Sequence, residues 1–327
     1  MSQGARQVID NCLKVGDKDN VVIVTDVQTM DIAASLKDQA KERTENVSFF
    51  ILEDFGERPL KEYPEELHNA LEHAQVSILA AQSQEGEIDS LRMPFISDVT
   101  RNKIRHAHMV GITHQIMEQG MAANYSDVER FSKQVYSLVK NVKEVKVTTR
   151  AGTDFTAQFD SKTSWIISDG RITEETWSNL PDGEVWTIVK SCSGKIVVDG
   201  VLGDYFSQKY GLLQGTPLVL QIIDGRVRYI RCEDPKLKKD FEKYIEKDEN
   251  ANRIGEFAFG TNLAVKELIG NMAQDEKYPG VHIAVGHTYP ERTGVKWDSS
   301  IHCDAVIRSP TVIIDGKKLM ENGKYLI

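Results

Sequence analysis

Paired cysteines, long apolar runs, an excess of positive charge and a glycine-rich phosphate turn are all missing from this chain. Its four cysteines, Cys12, Cys192, Cys232 and Cys303, are scattered and form no CxxC pair. That leaves neither a zinc-knuckle nor a disulfide framework, and it suits a reducing cytoplasm. No stretch is apolar for long enough to cross a bilayer, and the opening MSQGARQVIDNCLKVGDKDN carries no secretory signal pattern. A cytoplasmic protein with no membrane partner is therefore expected. The formal net charge of -9 argues against electrostatic capture of nucleic acid. The turn after the first apolar run, TDVQTMD, contains no glycine, so its backbone cannot approach a pyrophosphate closely and no dinucleotide cofactor is expected.

What is present is ordinary material for two cores. A chain of 327 residues with 40% apolar side chains exceeds what one core usually holds. In the first part, VVIVT (21–25), VSFFIL (47–52) and VSILAA (76–81) read as buried strands. Helices follow at 30–43, with Ile32, Ala33, Leu36 and Ala40 as an apolar stripe, and at 64–75 behind Pro64. Strand and helix alternating at this pitch predict a Rossmann-like parallel α/β domain. His106, His108 and His114 in IRHAHMVGITHQ lack a carboxylate at ligand spacing and are read as exposed histidines at element ends.

A helix over 126–142 then carries capping-box spacing at Ser126 and Glu129. Beyond it the texture changes to alternating apolar and polar residues, VKEVKVTTRAGTDFTAQFD, with a hairpin turn at Ala151-Gly152. The predicted division is an N-terminal α/β domain over 1–124 and a mainly antiparallel α+β domain over 125–327, the latter carrying the chemistry. Its strands include 193–201 and 218–230, the second turning at Asp224-Gly225; charged helix 236–250 follows, then a helix at 264–273.

Chemistry concentrates at the end. After five histidines in the preceding sequence, GVHIAVGHTYPERTGVKWDSSIHCDAVI holds His282, His287 and His302 together with Tyr289 and Asp304. In a strand, His302 and Asp304 share one face, and an imidazole beside a carboxylate can grip one divalent cation; by itself this spacing also describes a solvated strand face. Upstream, NLPDGEV places Glu184 directly after a tight turn, and IGEFAFGTN sets Glu256 among apolar and aromatic residues, where a lone carboxylate is costly to bury. Glu184, Glu256, His282, His302 and Asp304 form a hard-to-borderline ligand set with more donors than one tetrahedral ion takes. One or two divalent ions are expected.

NLPDGEV, IGEFAFGTN, HIAVGHTYP and SSIHCDAVI, in this order, resemble the M29 family of thermophilic-type metallo-aminopeptidases. The resemblance covers the sequence best from about Ser126 onward. It implies that Glu184, Glu256, His282, His302 and Asp304 hold metal, that Glu184 or Glu256 carries a proton, and that Tyr289 assists the chemistry. It further implies removal of N-terminal residues from peptides, zinc, cobalt or magnesium as the metal, and a homodimer. The chain is shorter than the family's well-studied aminopeptidases, which puts elements shaping their peptide chamber in doubt. Two alternatives stay open: an iron(II) dioxygenase opening dihydroxypyridine-like rings on a related branch of the fold, and a metal-free binding module. His287 fits no carried-over position and is read as exposed.

Overall fold

The structure, a computed structural model, describes residues 1–160 and 163–327. Contacts divide the chain into two compact units. One comprises Met1–Glu129 with Asp169–Asp182, the other Arg130–Ser168 with Gly183–Ile327.

The first unit is built on a parallel sheet of β1 (Val21–Thr25), β2 (Val47–Ile51), β3 (Val76–Ala80) and β4 (Arg105–His108). A two-residue strand, β8 (Ser178–Asn179), completes the order β2-β1-β3-β4-β8. β1 and β3 are buried along their whole length, as their β-branched and aliphatic runs require of central strands. Helices Met30–Lys41, Glu65–Glu72 and Met93–Arg101 alternate with the strands, and Val22, Val24, Leu52, Leu79 and Phe95 belong to one core cluster.

In this strand order the chain leaves β1 for opposite neighbours, and such a switch point is where open α/β sheets usually receive a ligand. Here protein charge fills the position. The Arg58 guanidinium, 6% exposed, bridges Asp26 and Glu87, which are 0% and 2% exposed. Asp26 also accepts from the Gln82 and Thr29 N–H groups at 2.6 and 2.8 Å.

His106 and His108 depart from expectation. Both are buried, because their face of β4 is covered by Phe95, whose ring lies 5.1 Å from that of His106, and by Trp177, 6.4 and 5.7 Å from the two imidazoles. His106 accepts or donates across 2.9 Å to Ser77 Oγ and meets His108 Nδ1 at 3.2 Å; the Arg92 Nε–H donates to His108 Nε2 at 3.2 Å. Burial drives both imidazoles below their usual range, His106 to about 3, so both are neutral.

The second unit faces two antiparallel sheets across one core. The larger has the order β12-β11-β10-β6-β5-β16-β17-β18. It is made of β5 (Glu144–Thr148), β6 (Asp154–Gln158), β10 (Ser191–Val198), β11 (Leu218–Ile223), β12 (Arg226–Arg231), β16 (Thr311–Ile314), β17 (Lys317–Glu321) and β18 (Lys324–Tyr325). The smaller runs β15-β14-β13-β9-β7 and contains β7 (Ile166–Ser168), β9 (Glu184–Thr187), β13 (Ile254–Gly260), β14 (Gly280–Gly286) and β15 (His302–Ile307). Val147, Phe155, Ile196 and Leu220 of the larger sheet join Phe257, Phe259, Ile283 and Ile307 of the smaller in one cluster. Asp224 and Gly225 both take positive φ, 51° and 73°, as a two-residue hairpin turn demands.

Two local expectations change. The helix Tyr125–Val139 starts a residue earlier than the Ser126–Glu129 box predicts, and Asn124 Oδ1 accepts from the Ser126 N–H at 3.1 Å. The helix expected over 264–273 reduces to Met272–Asp275. Gly270 has φ 82°, and Asp275 takes the Ile269 and Gly270 N–H groups at 2.9 and 2.8 Å, which fastens the segment as a loop.

Candidate metal centre

The smaller sheet sorts its residues by pleat. Directly paired residues of antiparallel strands share a face, so the register assigns each one. Glu184 pairs with Gly260, Trp186 and His282 both with Ala258, Glu256 and Asp304 both with Ala284, and His302 with Gly286. All lie on one front face, whose middle is paved with glycine and alanine. The intervening residues, Val185, Phe257, Phe259, Ile283, Val285, Cys303 and Ala305, point into the core. A β-bulge between Ile254 and Glu256 is what allows Ile254 to pack in the core while Glu256 stands in front. Gly255 has no room for a side chain there: a Cβ would lie 2.2 Å from the Gly286 carbonyl oxygen. Gly183, just before Glu184, has φ 134° and presses on Asn262 of the next strand's exit.

The five sequence-selected ligand candidates therefore come together. Two groups have donor atoms within 4.8 Å of one another: Glu184, Glu256 and His282, and Glu256, His302 and Asp304. His282 Nε2 lies 3.4 Å from both Glu184 Oε2 and Glu256 Oε1. His302 Nε2 lies 3.2 Å from Asp304 Oδ2 and 4.0 Å from Glu256 Oε2. Glu256 thus faces both histidines, one with each oxygen. Glu184, Glu256, His282 and Asp304 are all buried, and His282 Nε2 is fully enclosed with no hydrogen-bond partner. A buried polar nitrogen without a partner is costly, and this one points at two carboxylates from ion-pair distance. Imidazole and carboxylate donors converging from four strands fit a divalent cation.

The charges answer one another in the protein alone. Burial disfavours ionised carboxyls, but Lys277 and His282 outweigh it at Glu184 and hold that group down at about 2. Glu256 is raised, by burial and by the neighbouring Asp304 and Glu184. Burial would lower His302, yet Asp304 and Glu256 bring it up to about 10; His282 is raised against burial by Glu184 and Glu256. Without a cation, the two imidazoles take protons to offset the carboxylates.

Tyr289 stands beside this cluster in a left-handed backbone conformation, φ 49° and ψ 62°. Its ring lies 5.3 Å from that of His302 and 5.4 Å from that of Trp186. Burial, with Glu256 and Asp304 nearby, keeps its phenol protonated well past its usual range. Trp186, Ile188 and Ala258 form a small apolar wall with Tyr289, Val295 and Trp297. His287 is partly exposed and pairs with Asp298 at 2.6 Å, outside both ligand groups.

Sequence reasoning missed Lys277 and Glu276. Lys277 Nζ is 2.7 Å from Glu184 Oε1 and 2.8 Å from Glu276 Oε1, and its side chain is 3% exposed. The only sign was a lysine following Asp275-Glu276, which reads as a solvated charged turn.

Comparisons with known proteins bear on the family and the fold. The family model for thermophilic metalloproteases (M29) matches residues 104–326. The fold is similar to wild-type AmpT from Thermus thermophilus, with a TM-score of 0.74 at 16% identity, covering 100% of this chain and 98% of that one. It is also similar to 2,5-dihydroxypyridine dioxygenase from Pseudomonas putida KT2440, with a TM-score of 0.71 at 16% identity, covering 99% and 96%. No curated relative matches the sequence. The doubt raised by the shorter length finds no large unmatched block in AmpT, and no helix among the described residues is long and apolar enough to cross a membrane.

Proposed function

The chain belongs to the thermophilic metalloprotease (M29) family, and from that premise we propose that it is a metal-dependent aminopeptidase acting on the N-terminal residues of peptides. The observation that carries this reading is the double ligand cluster hinged on Glu256, with the orphaned His282 Nε2 between two glutamates. Glu184, Glu256 and His282 would hold one divalent ion, and Glu256, His302 and Asp304 a second. Zinc, cobalt or magnesium suits these donors. Such ions polarise a peptide carbonyl and lower the pKa of water.

The protein's own groups divide the remaining work. Glu184 and Glu256 would both serve as ligands. One of the two, Glu184 or Glu256, would also carry the proton destined for the leaving amine. The Tyr289 phenol stays protonated and can donate to an oxyanion developing beside His302. Trp186, Tyr289 and Trp297 wall off water and receive an apolar substrate side chain. The reading includes a homodimer.

Two histidines with one carboxylate, His282, His302 and Asp304, would also serve an iron(II) dioxygenase, but that triad leaves Glu184 and Glu256 without a task. Their presence at the same site favours hydrolysis. Protein stripped with a chelator and reloaded with zinc or cobalt should release p-nitroaniline from leucine p-nitroanilide. Absence of turnover with zinc, cobalt and magnesium, together with oxygen consumption on a dihydroxypyridine after iron(II) loading, would overturn the proposal.

A further inference from the structure

An ammonium buried against the ligand cluster has no task in the hydrolytic reading. Burying a lysine is unfavourable unless its charge is compensated, and Lys277 is compensated by Glu184 and Glu276 at 2.7 and 2.8 Å. Its backbone is fastened on both sides of the residue. The Lys277 N–H donates to the Gln274 carbonyl at 2.9 Å, and its own carbonyl accepts from the Asn262 N–H at 3.1 Å. The segment also runs so close to β13 that a Cβ on Gly260 would lie 2.9 Å from the Lys277 carbonyl carbon. The lysine is therefore delivered to Glu184 from a fixed strut.

The two glutamates of the cluster consequently differ in what they can offer a cation. Glu256 turns one oxygen toward each histidine. Glu184 has Oε1 engaged by Lys277 and turns Oε2, 3.4 Å from His282 Nε2, toward the cluster. We propose that Lys277 is a positioning residue that restricts Glu184 to ligation through one oxygen. A carboxylate with both oxygens free can chelate an ion and occupy a further coordination position. A catalytic ion needs that position open for water or substrate. Lys277 would keep it open, acting through Glu184 and not on the substrate. The inference rests on the metal reading above.

The test uses cobalt(II) titrated into chelator-stripped full-length protein, followed by calorimetry and by the visible d–d absorption, whose intensity falls as coordination number rises. Wild type should give the intense, low-coordinate band. Lys277→Met should retain its metal stoichiometry but show the weak, higher-coordinate band, with kcat reduced by about tenfold or more and KM little changed. Lys277→Arg, which keeps a charged donor for Oε1, should restore the intense band. A Lys277→Met protein with the wild-type band and affinity overturns the proposal. If Lys277→Met fails to fold, the infrared difference spectrum on metal loading decides, taken on wild type against Glu184→Gln. A Glu184 carboxylate with the wide stretch separation of a one-oxygen ligand supports the proposal, and the narrow separation of a chelating carboxylate overturns it. Wild-type protein that takes up no cobalt removes the metal reading itself, a result distinct from either.

Discussion

Both units bury charge, and they finish the job to different degrees. Around Arg58, every group named has its bonds made. The guanidinium reaches Asp26, Glu87 and the Gln82 carbonyl, while Glu87 takes the Leu60 N–H and Asp26 takes those of Gln82 and Thr29. Around Glu256, three carboxylates meet two imidazoles at 3.2 to 4.0 Å, and one imidazole nitrogen is left without a hydrogen bond. Buried charge alone is thus a poor sign of a site. The informative sign is buried charge whose hydrogen bonding the protein leaves incomplete, since that deficit is what a bound ion would remove.

The contrast can be broken experimentally, most severely at Arg58. Arg58→Met leaves two buried carboxylates unmatched and should cost about 3–5 kcal/mol of stability by denaturant unfolding. Metal uptake per folded molecule should not change; a mutant of unchanged stability would mean the network is slack. Glu256→Gln should do the reverse. It removes the residue common to both ligand groups, so ion affinity in calorimetry should fall by about a hundredfold or more while the circular dichroism stays that of the wild type. Retained affinity would show that Glu256 is not shared. Third, His108→Leu should cost about 1–3 kcal/mol by removing the acceptor of the Arg92 Nε–H and the partner of His106 Nε2. It should have no effect on metal content, which separates this histidine pair from the other.

The subtlest effect is in pH. His302, raised from 6.5 to about 10 in the metal-free protein, contributes stability that is fully present below about pH 6.5 and is lost as pH rises through about 10. Scanning calorimetry of stripped protein should therefore show this contribution declining with alkalinity. In zinc-loaded protein the sign should invert, because a ligand imidazole must be unprotonated and protons compete with the ion. Parallel pH slopes in the two states would remove His302 from the ligand set.

How much of this was readable in advance depended on the range of the signal. The Val21–Thr25 run and the His302/Asp304 alternation are local patterns, and a strand's period of two suffices to read them. Glu184 was legible because a Pro-Asp-Gly turn fixes where its strand begins. Lys277 was not, since it lies beyond the helix expected over 264–273, beside Asp275 and Glu276, and its role depends on a strand more than ninety positions earlier in sequence. His106 and His108 were misjudged for a related reason. Their face is covered by Phe95 and by Trp177, and no property of β4 itself announces so remote a neighbour as Trp177.

The bulge at Gly255 reaches further than its one residue. A pleated strand is a two-letter alternation, and the bulge works as a frame shift in it: before Gly255 the even positions belong to the core, and after it they belong to the site. Flattening the bulge with Gly255 still in place would put Ile254 and Glu256 on one face, and the strand could then satisfy Ile254 or Glu256 but not both. The bulge therefore sets the reading frame of the strand's chemistry, so the sequence has little freedom there even where no atom touches a ligand.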